Sequence, residues 1–141
     1  MTTARFKNIL LEVTARTFAD MRSKRHIYKD RAKLPFWPTT YDINCGWCED
    51  WGTGVEAAVP EATGDWLRDP SGDDHDHYAV LFRGLWYDAE CLEGVKDFHD
   101  LPLIKNQRVH RTIVLKGRMR GQRDTIHRKE TATVSANSVT N

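Results

Sequence analysis

His77-Tyr78-Ala79-Val80-Leu81-Phe82-Arg83-Gly84-Leu85-Trp86-Tyr87-Asp88-Ala89-Glu90 is two runs of aromatic and branched residues joined by an Arg-Gly pair. Such runs predict strands over 77–82 and 85–90, and a two-residue link with glycine predicts a tight hairpin. If Arg83 and Gly84 are the whole loop, Phe82 pairs with Leu85 and His77 lies opposite Glu90. Side chains alternate across a strand, so His77, Ala79 and Leu81 share a face with Trp86, Asp88 and Glu90. His77 and Asp88 are then diagonal neighbours, and a register shift of two sets them directly opposite. In both registers a histidine and an aspartate meet on one face.

Upstream, Asn44-Cys45-Gly46-Trp47-Cys48-Glu49-Asp50-Trp51-Gly52 opens a second element. Asn44 is a good N-cap, and a helix is expected over about 45–58, with Cys48, Trp51, Val55 and Ala58 on one face. Gly52 and Gly54 weaken that helix by roughly 1 kcal/mol each relative to alanine. Glycine there also lets a strand approach closely, which gives the cost a packing reason. Pro60 ends the helix. A loop rich in Gly, Pro and Asp fills residues 61–76.

An amphipathic helix is expected over about 4–22, where Phe6, Ile9, Leu10, Val13, Phe18 and Met21 form the core-facing stripe. Ser23 to Lys33 is basic and either continues this helix or forms a surface arm. Pro35 and Pro38 impose an extended or turning connection around Phe36 and Trp37. Residues 94–103 read as a loop with short helical possibilities, and a further strand is expected over 109–115. From Lys116 large apolar residues nearly vanish, so 116–141 reads as a basic, disordered tail. At 141 residues the chain reads as one α+β domain over 1–115 plus that tail.

Charge is segregated along the chain. Residues 1–41 carry nine Lys/Arg against three Asp/Glu; residues 42–100 carry three against fifteen; residues 101–141 carry nine against two. Either the basic ends fold back on the acidic middle, or an acidic rim selects cationic or amine-bearing substrates, or the basic ends touch nucleic acid. No apolar run approaches the ~18 residues of a membrane span, and residues 1–7 lack a secretory apolar region. Three cysteines favour free thiols in a reducing compartment, so a cytoplasmic location is expected.

Cys48 near a helix start, with a histidine and an aspartate on a facing hairpin, has the parts of a thiol nucleophile, its base and the orienter of that base. In this reading Cys48 attacks, His77 moves the proton and Asp88 holds the imidazole. The backbone N–H of Cys48, helped by Asn44 or the Trp47 indole, makes the oxyanion hole. Cys45 is the alternative nucleophile, and no cofactor is called for.

Gly46-Trp47-Cys48-Glu49-Asp50-Trp51-Gly52 resembles the G-x-C-x-D-aromatic-small pattern around the nucleophile of transglutaminase-like proteins. His77-Tyr78-Ala79-Val80 and Trp86-Tyr87-Asp88 are similar to their histidine and aspartate strands, and Cys45-Gly46-Trp47-Cys48 resembles the C-G-x-C of papain-type cysteine peptidases. The resemblance covers residues 42–91. It implies a papain-like or transglutaminase-like core, with the cysteine helix packed on an antiparallel sheet that carries His and Asp. It also implies thiol-dependent hydrolysis or acyl transfer at amide bonds of a protein or peptide. Gly52 stands where alanine is more usual, the His-to-Asp interval is short, and the upstream glutamine and orienting asparagine of papain-type enzymes are not found. Small size and the basic tail suit a phage or mobile-element product, which would place it in the host cytoplasm.

Two other readings compete. Cys45-x-x-Cys48 has metal-ligand spacing, and His75, His77 and Cys91 could complete a structural zinc set. A degenerate-peptidase binding module would use the five tryptophans, with Arg22 to Lys33 and Lys116 to Lys129 contacting nucleic acid. Each residue also has a plain reading: buried cysteines, a satisfied core histidine and a surface carboxylate.

Overall fold

A computed structural model of the chain describes residues 1–68 and 76–105. The expected strand over 109–115, the tail 116–141, the arm Lys116 to Lys129 and His75 lie outside these residues.

The described part is mixed α+β. Helix α1 (Thr3–Ser23) is followed by single 3-10 turns at Arg25–Tyr28 and Arg31–Lys33, then by the short α2 (Thr40–Asp42) and a wide turn at Ile43–Trp47. Helix α3 (Cys48–Ala58) leads into strands β1 (Thr63–Arg68), β2 (Asp76–Phe82), β3 (Leu85–Asp88) and β4 (Cys91–Val95). A 3-10 turn at Phe98–Asp100 and α4 (Pro102–Lys105) close the described chain. The four strands form one antiparallel sheet in chain order. No helix among the described residues is long and apolar enough to cross a membrane.

α1 and α3 cover one face of the sheet. Phe6 stacks on Phe82 with ring centroids 4.1 Å apart and meets the edge of Tyr87 at 4.9 Å. The apolar stripe expected on α1 is buried except for Phe18, which packs at its margin. Thr14 and Thr17 extend the stripe because each hydroxyl donates to the carbonyl four residues back, at 2.7 and 2.9 Å, and so arrives in the core already bonded. Thr14 also accepts the indole N–H of the fully buried Trp51 at 2.8 Å, which ties α1 to α3. The other face carries a smaller core of Leu67 and Ala79 against Phe98, Leu101 and Ile104.

Local signals were misleading in three places. Asn44 does not cap the cysteine helix: the capping box belongs to Thr39 and Asp42 at α2, where Thr39 N–H donates to Asp42 Oδ2 at 2.9 Å. The chain then leaves helical geometry at Cys45 and Gly46, so α3 starts at Cys48. Ala58, expected on the buried face, is exposed; Val59, just past the helix end, is buried instead. Residues 63–68, expected as loop, form edge strand β1, pairing Trp66 with Tyr78 and Arg68 with Asp76. Tyr78 explains both this strand and the glycine of α3. A Cβ on Gly52 would lie 2.4 Å from the Tyr78 ring, and one on Gly64 of β1 would lie 2.3 Å from its hydroxyl oxygen. The ring fills the space that these two glycines leave.

Candidate active site

The hairpin pairs Phe82 with Leu85, Leu81 with Trp86 and Val80 with Tyr87, the register of a two-residue loop. Arg83 (φ 50°) and Gly84 (φ 80°) both have positive φ, as a type I′ turn requires. Continued past Val80 and Tyr87, this register sets Asp88 opposite Ala79 and His77 opposite Glu90, so His77 and Asp88 share a face as diagonal neighbours. His77 Nε2 lies 2.9 Å from Asp88 Oδ2, and neither residue has exposed surface. A carboxylate only accepts, so the bond fixes a proton on Nε2. The second oxygen, Oδ1, accepts the backbone N–H of Glu90 at 2.9 Å. Both oxygens of Asp88 are thereby held, and the imidazole is oriented through them.

Cys48 stands at the first position of α3, 5 % exposed, in a small cluster with Trp66 and Tyr78. Its sulfur accepts the backbone N–H of Tyr78 at 3.4 Å, which fastens the start of α3 to the start of β2 beside His77. His77 Nδ1 is buried and makes no regular hydrogen bond. Cys48 is the thiol close enough to act on that ring. Burial alone would lower the His77 pKa, but the bond to Asp88, the neighbouring Cys48 sulfur and the charges of both outweigh it, pushing it up to about 10. The imidazole is thus placed to be a cation between a sulfur and a carboxylate.

The other two cysteines are differently placed, and all three are free thiols. Cys45 sits in the irregular turn, three residues before α3. Burial raises its pKa, and the hydrogen bond with Tyr41 and the charge of Arg31 only partly oppose this. Cys91 pairs with Asp88 at the start of β4, where burial and then the Asp88 charge raise its pKa. Both effects hold these sulfurs in the protonated, poorly nucleophilic form.

The two side chains expected to support an oxyanion are engaged elsewhere. Asn44 is 2 % exposed; its Nδ2 donates to Glu90 Oε2 at 3.4 Å, and its Oδ1 is buried without a hydrogen bond. The Trp47 indole N–H donates to the Tyr28 hydroxyl, and Lys24 Nζ lies 5.2 Å from the Trp47 ring. The third expected donor, the backbone N–H of Cys48, lies where the wide turn Ile43–Trp47 passes into α3. Glu90 was not singled out from sequence, although it stands two residues past Asp88. It joins Asp88 to Asn44, and burial followed by the charge of Asp88 raises its pKa.

Among the described residues no group of three or more His, Cys, Asp or Glu could hold a metal ion. Cys45, Cys48, His77 and Cys91 therefore do not make a zinc set by themselves. A depression of about 490 Å³ between α1 and α3 is lined by Trp47, Asp50, Asp20 and Lys24 among others. Asp50 is two helical positions from Cys48 and so faces the opposite side of α3, which separates this hollow from the sulfur. Comparison with protein-family models, with curated proteins and with solved structures finds no match to this chain.

Proposed function

We propose that the chain is a thiol-dependent hydrolase or acyltransferase with a papain-like or transglutaminase-like core, acting on an amide bond of a peptide or protein. One observation carries this reading: the His77 ring is bonded through Nε2 to a fully engaged Asp88, while Cys48 acts on it from the start of a helix. A merely structural buried histidine has no need of a thiol and a carboxylate together.

At rest His77 holds on Nδ1 the proton given up by Cys48, and the thiolate attacks the carbonyl carbon. Unsatisfied N–H groups of the first helical turn favour negative charge there, and the Tyr78 N–H bonds the sulfur directly. The oxyanion formed as the C–S bond closes is met by the Cys48 backbone N–H. His77 then protonates the leaving nitrogen as the C–N bond breaks, leaving a thioester. Water or an amine, deprotonated by His77, attacks the thioester, and the C–S bond breaks to restore the thiolate. The small exposed area of Cys48 suits an extended chain better than a bulky ligand.

Activity-based thiol profiling with mass spectrometry tests the reading, run beside a panel of peptide, isopeptide and glutaminyl substrates. The expected result is modification at Cys48, and turnover abolished by Cys48→Ser and by His77→Ala. Turnover that survives both variants would reject the proposal.

A further inference from the structure

The two 3-10 turns after α1 build a second surface with different chemistry. They set Arg25, His26, Lys29, Ala32 and Lys33 around a depression of about 460 Å³. Other cations of this stretch are engaged. Arg31 is ion-paired to Asp42, Lys24 lies over Trp47, and the Arg22 guanidinium is 5.7 Å from the Phe18 ring centroid. Arg25, Lys29 and Lys33 are exposed and have no ion pair or ring contact among the described residues.

Like charges gathered this way repel one another, and a polyanion relieves that repulsion. The platform is anchored to the core. Tyr28, between the two turns' cations, accepts the Trp47 indole N–H and packs against Trp37 and Trp47 with ring centroids 5.9 and 6.3 Å away. Beside the cations the chain exposes apolar side chains: Ile27 at 39 %, Leu34 at 49 % and Phe36 at 69 %. Phe36 is the most exposed large apolar residue described, only three positions beyond Lys33. A cationic hollow with an exposed aromatic ring three residues further along the chain matches a strand that offers phosphates and unpaired bases together. An acidic peptide would use the charges and leave the ring without a stacking partner.

We propose that the hollow of Arg25, Lys29 and Lys33, together with the exposed Phe36 three residues beyond it, binds single-stranded nucleic acid through its phosphates and one stacked base. This site is independent of the thiol chemistry, so Cys48→Ala is expected to leave binding unchanged.

Fluorescence anisotropy of the full chain with a labelled oligothymidine of about 20 nucleotides, and with a duplex of equal length, tests it. The double variant Lys29→Glu/Lys33→Glu should weaken single-strand binding by roughly tenfold or more, and lower the slope of log affinity against log salt by about 1.4. Phe36→Ala should weaken the single strand and spare the duplex. All three side chains are exposed, and circular dichroism checks that the variants fold. Unchanged affinity in the charge-reversal variant overturns the proposal, as does displacement of the oligonucleotide by polyglutamate at equal charge. Equal loss on single strand and duplex in Phe36→Ala overturns the stacking role.

Discussion

The carboxylate of Asp88 lies 2.9 Å from Nε2 of His77 in an interior where neither side chain meets solvent. A buried pair of this kind is costly to break from one side, because the partner is left charged or unbonded without water. Asp88→Ala is expected to cost about 3–5 kcal/mol in folding free energy, against near zero for an exposed carboxylate. Urea denaturation measures it. A loss under about 1 kcal/mol would mean that the pair is not formed in the folded protein.

The same pair sets a pH dependence. The His77 pKa moves from its ordinary 6.5 up to about 10 on folding, so the folded state holds this proton more tightly. Its contribution to stability is fully present below pH 6.5 and drains away as pH rises through about 10. Burial also raises the pKa of Cys45 and Cys91, which erodes stability at the alkaline end for separate reasons. The comparison that isolates His77 is therefore wild type against His77→Gln. The stability gap between them should narrow steadily from pH 6.5 toward pH 10; a gap that stays constant or widens sinks the assignment.

Thiol reactivity should rank by position. Cys48 opens a helix beside His77, whereas burial holds Cys45 and Cys91 protonated. Iodoacetamide at neutral pH is expected to label Cys48 first, although its exposure is small. His77→Ala should slow that labelling by roughly tenfold or more, since the imidazole no longer takes the proton. Peptide mapping reads each site separately, and preferential labelling of Cys45 would transfer the nucleophile to it.

The hairpin was readable from sequence because strand alternation and the Arg83-Gly84 loop fix parity, and parity alone puts His77 and Asp88 on one face. The α1 stripe was readable for the same kind of reason. The start of α3 was not. Asn44 offers a local capping signal, but Thr39 and Asp42 close a capping box earlier, and the chain then breaks at Cys45 and Gly46 before restarting. Strand β1 was hidden because Thr63-Gly64-Asp65 carries turn-forming residues; it is a strand through its pairing with β2 and the Tyr78 ring over Gly64. The engagement of Asn44 with Glu90 and of Trp47 with Tyr28 depends on contacts 46 and 19 residues apart, which no local pattern encodes.

Gly52 separates helix propensity from packing. Propensity alone says that Gly52→Ala in α3 stabilises by roughly 1 kcal/mol. A Cβ there would stand 2.4 Å from two carbons of the Tyr78 ring, which is itself lodged against Gly64, packed edge-on to Trp66 and bonded to Glu56. The ring has little room to yield, so the substitution is expected to destabilise by about 1–3 kcal/mol instead. Thermal and urea denaturation decide the sign, and a raised melting temperature would show that Tyr78 can move aside. Gly54→Ala is the natural companion. Its Cβ would meet only Val13, at 3.0 Å, so it should be tolerated better than Gly52→Ala.

The Thr14 hydroxyl serves two partners at once. It donates to the Leu10 carbonyl at 2.7 Å and accepts the Trp51 indole N–H at 2.8 Å, inside the layer between α1 and α3. Thr14→Val keeps the shape and removes both bonds. The Leu10 carbonyl lies within a helix and loses little, but the Trp51 N–H is stranded in a site with no exposed surface. Leaving such a donor unpaired costs about 1–3 kcal/mol. Thr14→Ser keeps the hydroxyl and loses only a methyl group, so it should cost less than Thr14→Val. The ordering Val worse than Ser identifies the hydrogen bond as the cause; the reverse ordering would assign the role of Thr14 to packing alone.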